Sequence, residues 1–224
     1  MSDAAWESRL PPLLSVIAGM VDVIGYLSLG KLFTAHVTGN LVVIAALLVR
    51  GAPLNVGQVL AVPVFLVAVA AVWLIAESTG KRGPALARPL PVLQFLLLAC
   101  VLVFSVVQRS ESHPDSAISS IAALIAVSAM GCQFGLLRLA GPGAPSTAVM
   151  TGNLTNTVLS LLDTLSRSHS LTDGARERLK KTLKLIVGFC AGCVAGAAAV
   201  SFLGNWAWSL PVVLAGAAAV WFAP

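Results

Sequence analysis

The sequence predicts an all-α integral membrane protein, with six transmembrane helices plus two short broken or re-entrant helices arranged as an inverted internal repeat within a single membrane domain, 1–224. Three observations predict this. Of the 224 residues, 58% are apolar and only 10% charged, with a mean hydropathy of +0.92, a balance far from that of a soluble globular domain. Apolar runs long enough to cross a hydrocarbon core of roughly 30 Å, which takes about 20 residues, recur along the chain. A polar octapeptide also occurs twice, in matching positions of the two halves.

The N-terminal stretch, Met1 to Pro11, carries Asp3, Glu7 and Arg9 and lacks the basic n-region and cleavage site of a secretory signal. The first apolar segment is therefore expected to stay as a membrane helix. The six long runs are approximately residues 12–30, 57–77, 89–108, 116–139, 184–203 and 206–223. Pro63 in the second of them is tolerable, because a membrane helix can re-satisfy a freed carbonyl locally. Two further segments differ in kind. His36 to Val49 offers nine unbroken apolar residues, Leu41 to Val49, behind a polar start. Ser146 to Leu165 is more polar still, with Thr147, Thr151, Asn153, Thr155, Asn156, Thr157 and Ser160. Neither can face lipid along its whole length, and such segments survive at membrane depth only when buried in protein or lining a wet cavity.

These two segments are copies. Thr34-Ala-His-Val-Thr-Gly-Asn-Leu41 matches Thr147-Ala-Val-Met-Thr-Gly-Asn-Leu154 at six of eight positions. Upstream, Ala18 to Leu27 lies on Ser128 to Leu137 with matches at Met20/Met130, Gly25/Gly135 and Leu27/Leu137. The chain thus reads as a duplicated unit, about 12–108 and about 116–223. If neither short segment crosses, Arg9, Lys81, Arg82, Arg88, Arg138, Arg167, Arg176, Arg178, Lys180, Lys181 and Lys184 share one side, eleven cations, against Lys31, Arg50 and Arg109 on the other. If both cross, the split falls to nine against five. The positive-inside rule prefers six spans with both termini cytoplasmic. A seven-span alternative also splits eleven to three but breaks the duplication. With an odd number of spans per unit, the units are inverted, a recurrent plan of transporters and channels.

The net charge of +5 is spread between apolar runs, so it reports orientation and not a nucleic-acid partner, which would need a clustered basic face with stacking aromatics. Cys100, Cys132, Cys190 and Cys193 all lie in apolar segments. Cys190 and Cys193 form a C-x-x-C without a second pair or a nearby histidine, so no zinc site is expected, and small residues in a helix contact explain them. No nucleophile elbow, Walker loop, H-E-x-x-H or carboxylate pair is present in the sequence. Neither an enzyme nor a cofactor is expected.

The candidate functional residues sit where polarity meets the membrane. Thr38, Gly39 and Asn40, and Thr151, Gly152 and Asn153, each stand at the start of a helical run. Thr and Asn are good N-cap residues, Gly lets the backbone bend, and a helix beginning inside the membrane points unsatisfied donors and about half a positive charge into its surroundings. Two readings follow: a pair of helix starts facing a small polar or anionic solute, or caps that close a dry interface. Asp22 is the carboxylate near the middle of an apolar span, a functional candidate by its cost, or else a hydrogen-bonded structural acid. Its counterpart region carries Cys132 and Gln133. His36 has Val149 in its place in the second copy, and reads as a proton or substrate ligand or as a satisfied structural histidine.

Gly188, Gly192 and Gly196 form a small-residue stripe for close helix contact, within the fold or between two copies of the chain. The segment from Asp173 to Lys184, with Arg176, Arg178, Lys180 and Lys181, reads as a cytoplasmic surface helix on anionic headgroups, or as a solvated charge run.

With these motifs together, Gly19-Met-Val-Asp-Val-Ile-Gly-Tyr, Phe33-Thr-Ala-His-Val-Thr-Gly-Asn-Leu41, Met130-Gly-Cys-Gln-Phe-Gly and Thr147-Ala-Val-Met-Thr-Gly-Asn-Leu154, the chain resembles the YoaK-like family of small bacterial membrane proteins, a domain of unknown function. The resemblance covers nearly the whole chain and implies a multi-span protein of the bacterial inner membrane, without a substrate. His36-Val37 departs from the pattern of that family. The function expected is transport or conduction of a small polar or anionic solute. The alternative is a non-transport scaffold that binds a partner through the glycine stripe.

Overall fold

The computed structural model describes residues 3–80, 85, 89–107, 117–140, 146–147, 149–165 and 172–221, and among them the chain is all-helical. In chain order the helices are α1 (Asp3–Ser28), α2 (Gly39–Val49), α3 (Val56–Thr79), α4 (Pro89–Val107), α5 (Ala117–Ala140), α6 (Met150–Leu165), α7 (Thr172–Leu203) and α8 (Ser209–Trp221), with a 3-10 turn, Gly204–Trp208, between the last two. Local chemistry sets several of these ends. α1 stops where Gly30 and Lys31 both take positive φ, 74° and 57°. α3 begins at Asn55, whose side chain accepts from Gly57 N at 2.7 Å, and ends at Gly80 in the left-handed region that favours glycine.

Five stretches are long and apolar enough to cross a membrane, namely Arg9–Ser28, Val56–Thr79, Pro89–Val107, Ala117–Leu139 and Gly174–Trp221, the last containing α7, the 3-10 turn and α8. Large apolar side chains such as Val67, Val194 and Phe202 stand on the outside of the bundle, where in water they would have no counterpart. Lipid is the medium that accepts this surface, since between apolar helices and apolar tails packing, not water exclusion, holds the bundle.

α1 and α5 are the buried helices, and each is gripped by a small-residue seam. Gly188, Gly192 and Gly196 of α7 lie in turn against Pro12 and Ser15, Val16 and Met20, and Met20 and Ile24 of α1. The register is constant and the two helices run parallel. Gly19 of α1 answers from the other side, against Phe189 and Cys193. In the same manner Gly57 lies by Ser120, Gly131 by Ala68 and Gly135 by Val72, so α3 and α5 also run parallel. α4 and α8 are antiparallel, Phe95 touching Gly216 and Ser105 Oγ donating to Asn205 O at 3.2 Å. α6 leans antiparallel on α7 through Thr157 and Thr182, hydroxyls 2.8 Å apart. Followed around the bundle, α1, α4 and α7 point one way and α3, α5 and α8 the other.

Two features differ from the sequence expectation. The basic segment 173–184 is no separate surface helix: it is the first third of α7, which continues unbroken to Leu203, because no proline or left-handed residue interrupts it. The first long run begins earlier than residue 12, since α1 is helical from Asp3 with Pro11 and Pro12 inside it.

Candidate functional site

The loop between α1 and α2 turns back toward the bundle and is held there by one carboxylate. Asp22 is buried on α1, six residues and so about 9 Å before the helix end at Ser28. Its Oδ1 accepts from Thr34 N at 2.8 Å, Ala35 N at 2.7 Å and His36 N at 3.3 Å, and from Thr34 Oγ1 at 3.3 Å. Its Oδ2 meets His36 Nδ1 at 2.6 Å. Three successive amides thus converge on one oxygen, a nest that only an acceptor at this point can satisfy. The His36 ring rests edge-on against Phe189 of α7, centroids 4.9 Å apart, and keeps 29% of its side chain exposed.

Asn40 completes the turn. Its Oδ1 accepts from Phe33 N at 2.9 Å and its Nδ2 donates to Phe33 O at 2.8 Å, so the side chain pairs with the backbone as a neighbouring strand would. Thr38 occupies the N-cap position of α2 but makes no side-chain cap bond. The amides of Gly39, Asn40 and Leu41 bond instead to the carbonyls of His36, Val37 and Thr38, three residues back. The end of α2 therefore offers fewer free donors than a helix opening directly from a Thr cap would.

The second copy repeats the plan with different chemistry. Asn153 Nδ2 donates to Ser146 O at 2.8 Å, the same seven-residue reach as Asn40 to Phe33. The residue that stands in for Asp22 is Gln133, buried on α5. Its Nε2 donates to Thr147 Oγ1 at 3.3 Å and to Leu14 O of α1 at 2.9 Å, while its Oε1 accepts from Gln94 Nε2 at 2.7 Å. Here the Thr-Gly-Asn triplet lies within the first turn of α6, not ahead of it. In both copies the Asn is buried, the Gly half-buried, and Thr38 or Thr151 exposed. Asn40 and Asn153 each face their own loop rather than each other, and α2 leans on α3 while α6 leans on α7.

Two polar residues here escaped the sequence reading. Gln94 on α4 and Gln58 on α3 are buried amides. Gln58 Nε2 donates to Gly30 O at 3.1 Å, and among the described residues the Oε1 atoms of both glutamines find no partner. The signal was present, a lone amide in each apolar helix, but nothing local to it names the group it meets. Among the described residues no cluster of three His, Cys, Asp or Glu could hold a metal, and all four cysteines are free.

The different bonding of the two asparagines makes a prediction. Asn40→Ala removes two bonds to the backbone of Phe33 and is expected to cost about 2 kcal/mol, whereas Asn153→Ala removes the bond to Ser146 O and a weak 3.8 Å contact with Met150 Sδ and is expected to cost about 1 kcal/mol, since a thioether sulfur is a poor acceptor. Thermal unfolding of the two variants in detergent reads the order directly, and a larger loss for the Asn153 variant would overturn it.

Comparison with known proteins agrees with this architecture. The chain is 29% identical over 220 residues to the UPF0700 transmembrane protein YoaK of Bacillus subtilis (strain 168), covering 96% of this chain and 93% of that one. No solved structure matches it. The family described as "Protein of unknown function (DUF1275)" matches residues 10–221. With apolar spans, lipid-facing side chains and a transmembrane relative aligned along nearly its full length, this chain is a multi-pass membrane protein that belongs to the DUF1275 family.

Proposed function

We propose that this protein is a transporter of a small polar or anionic solute, built from two inverted units that cross the bacterial inner membrane six times with both termini cytoplasmic. The observation that carries the reading is the pair of polar anchors that tie the two motifs to the bundle, Thr34 to His36 on Asp22 near the end of α1 and Thr147 on Gln133 near the end of α5. Because α1 and α5 run in opposite directions, the loops enter from opposite ends. Irregular backbone at such depth is tolerated only where protein or a wet path surrounds it, and polar groups there are costly unless they serve a purpose. The inverted arrangement draws support from the reciprocal packing: the first helix of each unit lies parallel to the third helix of the other, α1 on α7 and α5 on α3. In a cycle of alternating access the two loops serve as gates, each closed by its own hydrogen bonds. His36, half-exposed beside Asp22, is the ionisable group best placed to meet the solute or a coupled proton. The glycine stripe of α7 is spent on α1 inside the chain, so a scaffold role would need another face.

The test uses single cysteines at His36 and at its counterpart Val149 in a background with Cys100, Cys132, Cys190 and Cys193 replaced by alanine. A membrane-impermeant thiol reagent should label the first from outside and the second from inside, with labelling that changes when a transported solute is added from a panel of small acids and polyols. Reporter fusions after Arg50 and after Arg167 should fall on opposite sides. Finding both reporters on one side, or both cysteines unlabelled under every condition, would sink the reading.

A further inference from the structure

The outer face of the α1–α7 pair carries a feature that transport does not use. An open groove of about 510 Å³ runs between Leu13 and Val16 of α1 and Leu183 and Val187 of α7, with Lys180 and Lys184 at its rim. Its floor is the close approach at Gly188, where the absence of a side chain leaves the two helix backbones almost in contact, a Cβ there falling 3.0 Å from Pro12 O. The walls are apolar and the cations stand together toward the start of α7. Arg9, one turn before Leu13 on α1, is exposed toward the same end.

Two other cations of the segment are already engaged. Lys181 lies 3.8 Å from Glu177 and Arg178 lies 4.0 Å from Asp163, whereas among the described residues no carboxylate pairs with Lys180 or Lys184. The six-span arrangement puts this end of the bundle on the cation-rich side, where anionic lipids meet juxtamembrane lysines.

We infer that this groove is a binding site for one anionic phospholipid of that leaflet, an acyl chain lying over Gly188 between the two apolar walls and the headgroup phosphate held by Lys180 and Lys184. Charge complementarity selects the occupant: a neutral lipid fills the groove but leaves two lysines at its mouth unpaired, and a free phosphate pairs with the lysines but leaves the groove empty. Long lysine stems lying along apolar walls with the ammonium at the headgroup level suit this arrangement. The inference rests on the six-span orientation proposed above, which the reporter fusions test separately, and stands whether or not the protein transports a solute.

The test is lipid titration of the full-length protein in neutral detergent, read by native mass spectrometry. Phosphatidylglycerol should bind as a single retained adduct, and phosphatidylcholine at least about tenfold more weakly. K180Q/K184Q should reduce phosphatidylglycerol affinity by about thirtyfold, roughly fivefold for each lysine near an anionic headgroup. The control R176Q/R178Q, on the same basic segment but off the groove, should stay within about twofold of wild type. Because Val187 is exposed, V187W tests the apolar part without disturbing the core: filling the groove should displace the lipid with both lysines intact. Equal binding of phosphatidylcholine, an equal loss in R176Q/R178Q, or undiminished binding in V187W would each overturn the site. So would displacement of the lipid by millimolar inorganic phosphate, which would mean an ion site only.

Discussion

Replacing Asp22 by alanine is expected to destabilise the protein by about 3–5 kcal/mol, the range for removing one partner from a buried, fully engaged charged group. The amides of Thr34, Ala35 and His36 lose their common acceptor, and the His36 ring loses the atom 2.6 Å from its Nδ1. The conservative change Asp22→Asn separates the two halves of this role. Its amide oxygen still receives the backbone donors and its NH₂ still faces His36, which accepts in one tautomer, so a loss of about 1–2 kcal/mol is expected. Thermal unfolding of the purified variants, monitored by retention of the monodisperse species on size exclusion, measures both. A D22A protein as stable as wild type would mean that the loop is held by something other than this carboxylate.

The second large effect is expected at the α1–α7 seam. A Cβ at Gly192 would fall on the carbonyl oxygen of Val16, and one at Gly19 on the carbonyl oxygen of Phe189. Backbone cannot swing aside as a long side chain can, so even alanine forces the two helices apart over their whole shared length. Gly192→Ala should therefore cost about 3 kcal/mol or more, at the upper end of what overpacking does, and Gly192→Leu should abolish the folded species. Gly174→Ala in the same helix is the counterpart: nothing lies within 4 Å of its Cβ position, so it should be neutral or stabilise slightly through helix propensity. If the two alanines behave alike, the close approach of α1 and α7 is not what holds this pair.

These predictions also show how the site divides between what the sequence carries and what folding adds. The octapeptide repeat was legible, because a short polar motif in an apolar chain stands out, but the burial of its asparagine in each copy was not. Nor were the caps. Thr38 was expected to close the first turn of α2, but the loop before it curls into three-residue turns that use up those amides, and Asn40 turns to Phe33 instead. A side chain with several local partners of similar geometry chooses among them by the position of the whole loop, and that position is set by Asp22, 14 residues from His36. Gln94 and Gln58 went unnoticed for a related reason. A lone amide in an apolar run looks like tolerated noise until a neighbouring helix supplies Gln133, or the turn after α1 supplies Gly30, opposite it.

By itself the sequence determined the medium and the family: the run lengths, scarcity of charge, duplicated motif and glycine spacing follow from what a bilayer accepts and what a close helix contact requires. Tertiary structure decided the partners. The stripe Gly188, Gly192 and Gly196 was equally compatible with a second copy of the chain and with a helix of its own fold, and only the packed bundle assigns it to α1. Likewise Asp22 stood open between ligand and structural acid, and only the fold brings three backbone amides and His36 to it. The physical reason is common to both. Burial cost and close-contact propensity belong to a residue and are written locally, but the group that satisfies it comes from a distant part of the chain, and its arrival is a property of the assembled helices.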